Sequence, residues 1–249
     1  MKKMKLLDTY DFLDKRFTNF YRSQIEFLEK LQLEIVLGNI KNPYLIRVKN
    51  ELLVSDLIRS VLDKYLSPFQ EYFLDELLQG LAIFICKKVY KGRKSSTTGI
   101  DLEFDKEGIR YIVSIKSGPS WGNSQAVYKM ISNFNAARKI LRTSNSKINV
   151  VAVNGCCYGR DTKPYKEKGD YFKFCGQQFW EFISGNENLY TEIIEPLGHK
   201  AKERNEEFMV AYAQIINKFT LDFMNEFCID GKVDWKKLVK FNSGKKQSD

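Results

Sequence analysis

The segment from Ile100 to Lys116, IDLEFDKEGIRYIVSIK, constrains the fold more than any other part of the chain. On either side of it apolar residues recur at helical spacing, whereas within it they alternate. Ile100 to Phe104 reads Ile, Asp, Leu, Glu, Phe, the stretch Asp105 to Gly108 has the composition of a hairpin turn, and Ile109 to Lys116 is predicted to return as a strand. Side chains on a strand repeat every two residues, so Tyr111, Val113 and Ile115 are expected on one face and Ile112, Ser114 and Lys116 on the other. A tight turn at 105–108 would bring Asp101 and Lys116, on consecutive strands, into one site.

Helices are expected around this hairpin. Residues 8–37 carry Phe12, Phe17, Phe20, Ile25, Phe27 and Leu28 at helical spacing, and residues 50–66 carry Leu53, Leu57, Ile58, Val61 and Leu62, with a joint near Asn42 and Pro43. A third helix is predicted to start at Ser67 and Pro68, an N-cap followed by a first-turn proline, and to run to Tyr90. After the hairpin, GPSWGN reads as a loop, Ser124 to Leu141 as a helix, and Lys147 to Asn154 as a buried strand. Further helices are expected at 177–184, 187–195 and 200–229, followed by a basic polar tail. No internal repeat is found.

Composition narrows the chemistry. Lys and Arg exceed Asp and Glu by 40 to 31, a surplus that favours contact with a polyanion. The five cysteines are odd in number and lack the CxxC or Cys/His spacing of a zinc module. Reduced, buried thiols are expected, with the adjacent Cys156 and Cys157 at a strand end. His199 is the single histidine, which excludes any mechanism that needs two. The longest purely apolar run, Leu81 to Cys86, is far short of the roughly 20 residues of a membrane span, and Asp8, Asp11 and Asp14 interrupt any N-terminal signal core. A cytoplasmic protein with no membrane association is expected.

A phosphodiester hydrolase holds a hard cation through oxygen, and Mg²⁺ takes one or two carboxylates while keeping several waters. Asp101 suits that role, and Lys116 suits the stabilisation of developing negative charge or the orientation of a nucleophile. The plainer alternative makes Asp101 and Glu103 outward polar residues of an exposed hairpin and Lys116 a solvated strand lysine.

Gly99-Ile100-Asp101, followed after twelve residues by Ser114-Ile115-Lys116, resembles the PD-(D/E)xK nuclease superfamily. The resemblance covers roughly Ser67 to Asn154. Chain length, the surrounding helices and the run SIKSGPSWGNSQ look most like its type II restriction endonuclease branch. What this implies is an α/β protein with a restriction-endonuclease-like core, a mixed central sheet flanked by helices, and extra N- and C-terminal helices. A single catalytic domain of residues 1–249 is expected, with an N-terminal helical elaboration at 1–66, the nuclease core at 67–154, and a recognition and dimerisation region with the C-terminal helices at 155–249. The resemblance further implies Mg²⁺ as cofactor, double-stranded DNA cut at a short specific sequence to give double-strand breaks, a homodimer, a cognate DNA methyltransferase in the same system, and a prokaryotic cytosol.

Two positions depart from the family pattern. Ile100 stands where proline often precedes the aspartate, and Ser114 stands where a Glu or Asp usually completes the cation site. Members with an SxK motif take the missing carboxylate from elsewhere. The helix after the hairpin offers none, since the next acid is Asp161 and the next glutamate Glu167. The preceding helix offers Glu71, Asp75 and Glu76, of which Glu76 is preferred. Glu103, two residues from Asp101 on one strand face, is the rival. Asp101, Lys116, Ser114 and Glu76 are therefore the expected catalytic group, with Asp101, Glu76 and Glu103 as metal-ligand candidates.

Ser117, Asn123 and Gln125 stand where a strand exit meets a helix start, and free amides there favour phosphate. They are expected against the DNA backbone; N-capping by Asn123 or Ser124, with Trp121 as packing, is the competing role. Arg160, after the last core strand, is suited to guanine, and Lys163 or Lys166 to phosphate. Other readings are a repair, recombination or mobile-element nuclease of the same superfamily, a catalytically inactive DNA-binding protein, suggested by Ser114, and a helical interaction protein that does not hold DNA.

Overall fold

The structure is a computed structural model that describes residues 6–40, 42–49, 53–144, 148–161 and 169–245. In chain order its elements are α1 (Leu6–Lys30), α2 (Leu33–Gly38), α3 (Pro43–Lys49), α4 (Val54–Tyr90), β1 (Arg93–Lys94), β2 (Leu102–Lys106), β3 (Ile109–Lys116), α5 (Ser124–Ser144), β4 (Asn149–Cys156) and β5 (Phe172–Cys175). There follow α6 (Gln177–Ser184), α7 (Leu189–Glu192), α8 (Ile194–Gly198), α9 (Ala201–Phe227), β6 (Cys228–Ile229), β7 (Lys232–Val233) and α10 (Trp235–Ser243). They divide into two compact units: Met1–Arg16 with Phe73–His199, and Phe17–Tyr72 with Lys200–Asp249.

The first unit is built on a five-stranded sheet in the order β1-β2-β3-β4-β5. Its seed is the hairpin read from the alternation. Lys106 pairs with Ile109, and between them Glu107 and Gly108 take φ of 54° and 77°. Two consecutive left-handed residues make the turn whose twist matches that of the flanking strands, and glycine meets the second position without steric cost. From β3 the sheet becomes parallel, pairing β3 with β4 and β4 with β5. A parallel neighbour requires a crossover, and α5 supplies it between β3 and β4. The sheet is therefore mixed and flanked by helices, as expected. The short β1 and the strand β5 were not anticipated.

Each face of the sheet has its own packing. Met130, Phe134 and Ala137 of α5, spaced along one helical stripe, meet Ile112, Val150 and Ala152, all under 6% exposed. On the other face Phe104 and Tyr111 stack at 5.3 Å and Phe182 of α6 closes on both. Tyr90, the last residue of α4, stacks on Phe104 at 5.5 Å. Gly155 of β4 lets α6 approach: a Cβ there would lie 2.2 Å from the fully buried Phe179 ring.

The second unit is helical. Leu57, Ile58, Leu62 and Leu66 of α4 join Phe219, Phe223, Phe227 and Leu238 in its core. Three expectations are corrected. The helix predicted over 8–37 is interrupted at Gln32, which is extended at φ −114° and ψ 143°. No new helix begins at Ser67 and Pro68, because α4 runs through them. Proline removes one ladder bond, to the carbonyl of Lys64, but both residues are exposed and that carbonyl can be hydrated. Burial of Leu57 to Leu66 before the proline and of Leu77 to Cys86 after it holds the helix together. Finally, the segment read as a basic polar tail holds further elements as far as Ser243: Asp230 and Gly231 form a second left-handed turn between β6 and β7, Asp234 caps α10 by accepting from the Lys237 N–H at 3.0 Å, and Leu238 is fully buried. At the joint expected near Asn42 and Pro43, α3 begins at Pro43 and the preceding Asn42 Oδ1 accepts from the Leu45 N–H.

Gly155→Ala should lower the unfolding free energy by about 1–3 kcal/mol, the usual cost of overpacking a core, and with it the unfolding midpoint in denaturant. An unchanged midpoint would show that α6 can shift freely.

Candidate active site

Asp101 and Lys116 lie at the open end of the hairpin. Asp101 immediately precedes β2, and its N–H donates to the Val113 carbonyl at 2.9 Å. Its carboxylate Oδ2 accepts the Ile115 N–H at 2.7 Å, so a side chain takes the place of a ladder carbonyl and is fixed to β3. Burial raises the Asp101 pKa, opposed in turn by the Ile115 N–H, the Lys116 charge, a hydrogen bond from Gln79 and the charge of Lys94. Lys116 is thus close enough to act on the carboxylate. Its ammonium lies 4.9 Å from the centroid of the Trp121 ring.

On α4 it is Asp75 that bonds to the chain leaving β3. Asp75 accepts a hydrogen bond from the Ser117 hydroxyl, and Ser117 directly follows Lys116. Four residues on, Gln79 reaches Asp101; positions four apart share one helix face. Glu76, exposed as Asp75 is, is turned about 100° round the helix from it. Glu71 lies in the other unit and accepts from Ser67 Oγ at 3.2 Å. Glu103 is 6% exposed and fully engaged, with Arg93 at 3.0 Å, Arg110 at 3.7 Å and Ser95 Oγ at 2.5 Å. Those partners tie it to the β1–β2 edge.

The donors at this end of the sheet are hard. Cys157, buried next to the site, has its thiol pushed up by burial and pushed further by the charges of Asp75 and Asp101. It stays protonated and is no thiolate ligand. Among the described residues no group of three or more His, Cys, Asp and Glu side chains is placed to hold a metal. Asp101 and Asp75 are nevertheless hard oxygen donors of the kind Mg²⁺ takes, one or two at a time, while it keeps several waters.

The other expected residues separate. Ser114 is 2% exposed, inside the sheet. Asn123 caps α5, its Oδ1 accepting the Ala126 N–H at 3.0 Å, which is the competing role foreseen for it. Gln125 is exposed on the first turn of α5. Arg160 is exposed and lines a cavity of about 580 Å³ with Leu78, Cys157, Tyr158, Gln177 and Trp180. Lys163 and Lys166 lie outside the described residues. Sequence reasoning passed over Gln79 and Asn154; the signal for the first was its i, i+4 spacing from Asp75. Beyond Lys116 the β3–β4 ladder continues, with Cys157 and Tyr158 N–H groups donating to the Lys116 and Ser117 carbonyls at 2.8 Å.

Because the fold favours protonated Asp101, this group contributes stability below the pKa of an unfolded carboxyl and loses it as pH rises through the raised value. At neutral pH its charge opposes folding. Asp101→Asn, neutral and still able to accept from Ile115, should therefore melt at a higher temperature than the parent in EDTA near neutral pH, with the difference shrinking toward acid. A lower melting temperature would mark Asp101 as a structural residue.

A family model, Type II restriction endonuclease EcoO109I, matches residues 8–205, well over half of the chain. No curated protein sequence matches significantly. In the described residues no helix is long and apolar enough to cross a membrane. The matched span includes the hairpin, α5, β4, β5 and every residue just placed at the site. The chain belongs to the type II restriction endonuclease EcoO109I family, and is accordingly a nuclease, a hydrolase acting on DNA.

Proposed function

We propose that this nuclease is a Mg²⁺-dependent enzyme of the PD-(D/E)xK type with an SxK motif, cutting double-stranded DNA at a short specific sequence as a homodimer, alongside a cognate DNA methyltransferase. The observation that carries the reading is the Asp101 carboxylate, bonded to the Ile115 N–H and acted on by the Lys116 charge, with Asp75 of α4 beside the same end of the sheet. The restriction-endonuclease-like core is supported by the mixed sheet, with an α4–hairpin–α5–β4 order.

In this reading Asp101 and Asp75 hold the cation through oxygen, and Gln79 orients Asp101. When bound, the cation supplies charge neutralisation at the phosphoryl oxygens and a more acidic water. Lys116 donates to a non-bridging phosphate oxygen and stabilises charge that develops there. The burial that raises the Asp101 pKa also keeps the surroundings poor in water, where each of these interactions is stronger. Gln125 contacts the DNA backbone, and Arg160, with Lys163, the flanking DNA.

Asp101→Asn and Lys116→Ala should each slow cleavage of plasmid DNA at least about a hundredfold, with salt-dependent DNA binding retained. Asp75→Asn should behave like Asp101→Asn, while Glu76→Gln cuts like the parent. Discrete plasmid bands in the parent support a specific sequence, and a smear rejects it. If Asp101→Asn and Lys116→Ala both cut normally, the site is elsewhere.

Asp101 must be ionised to hold the cation, and its pKa is raised. Cleavage at limiting Mg²⁺ should therefore fail at a higher pH than an ordinary carboxylate would give, and added Mg²⁺ should move that acid limb downward. Single-turnover rates across pH at two Mg²⁺ concentrations check this, and a limb that ignores Mg²⁺ would contradict it.

A further inference from the structure

A strand fixes the Cα of a lysine but not its ammonium, which rides on a flexible four-carbon stem. Something must set where the Lys116 tip lies. The loop between β3 and α5 brings an indole to it: Lys116 Nζ is 4.9 Å from the Trp121 ring centroid, within the range where the negative face of the ring attracts a cation. The indole is held in turn. Its Nε1–H donates to Asn154 Oδ1 at 3.1 Å, and Asn154 Nδ2 donates to the Ser114 carbonyl at 3.3 Å.

Asn154 is the more telling member. It is 1% exposed in the middle of β4, directly paired with Ser114. A buried amide costs stability unless both of its ends are hydrogen-bonded. Here one end is satisfied by the neighbouring strand and the other by the indole. The contacts thus run from Ser114 across to β4, out to the loop through Trp121, and back to the ammonium two residues beyond Ser114.

We propose that Trp121 is a positioning residue for DNA cleavage, acting through Lys116, with Asn154 as the anchor that sets the indole. This rests on the reading of Lys116 as a catalytic residue. Trp121 also packs against the Ile112 and Phe134 cluster, and if packing were its whole role, an apolar side chain that preserved the fold would serve as well.

The test compares Trp121→Leu, Trp121→Met and Trp121→Phe with the parent, by single-turnover cleavage at saturating Mg²⁺ and enzyme, by DNA affinity in Ca²⁺, and by melting temperature. Leu and Met lack a ring; whichever of them folds serves, and Met adapts to irregular gaps. Loss of the ring should slow the cleavage step about tenfold and leave DNA affinity within about twofold. Phe, which keeps the ring face but loses the N–H that Asn154 holds, should recover part of the rate, whatever the order of melting temperatures. The proposal is overturned if the ringless variant cuts like the parent, if affinity falls in step with rate, or if Phe is no better than Leu or Met. Lys116→Ala cutting at the parent rate is a separate result, which rejects the catalytic role of Lys116 itself.

Discussion

The hydrogen bond between the Asp101 carboxylate and the Ile115 N–H is the contact on which the candidate site depends. At that point in an antiparallel pair a backbone carbonyl would ordinarily accept, and a charged side chain does so instead. The exchange has two effects at once. It fixes an anion to the strand that carries Lys116, and it compensates part of the cost of removing that anion from water, since hydrogen bonds to charged groups are stronger than neutral ones. Burial still dominates, and the carboxylate is left in a state that a cation would relieve. A site prepared in this way favours ligand over solvent without any movement of the backbone.

Much of the fold could be read from residue order because local pattern and tertiary role agree there. The alternation from Ile100 to Lys116 describes a strand pair with one face on α5 and the other on an aromatic layer, and the turn residues Glu107 and Gly108 close it. Asn123 announces α5 and also caps it. Where local pattern and packing disagree, the reading fails. Pro68 looks like a helix start, but its neighbours bury enough apolar surface to carry the helix past it. β5 escapes notice because Phe172–Cys175 is only four residues and finds its place by pairing with β4.

The choice between Asp75 and Glu76 shows a different limit. Phe69, Tyr72 and Leu74 are apolar yet 45%, 63% and 46% exposed, so the apolar stripe around them is too broad to give the phase of α4. Leu77, Leu78, Leu81 and Ala82 define the inward face, and only their contacts reveal that Asp75 and Gln79 sit at its edge. Glu103 meets a related limit. Its place on the strand face follows from alternation, but its partners Arg93 and Ser95 come from a segment whose strand character is too short to see in the sequence.

The ladder that continues past β3, with the Lys116 and Ser117 carbonyls bound by Cys157 and Tyr158 just beyond β4, also bears on the cutting proposed for this site. A lysine whose main chain is held by that ladder and whose ammonium lies against Trp121, beside an aspartate anchored through its side chain, would give little latitude to a misaligned phosphodiester. On the reading proposed for this site, the duplex would have to distort to meet them, and the work of that distortion varies with base sequence even at positions no side chain touches. Rigidity there would add a second means of telling targets apart, independent of any hydrogen bond to a base.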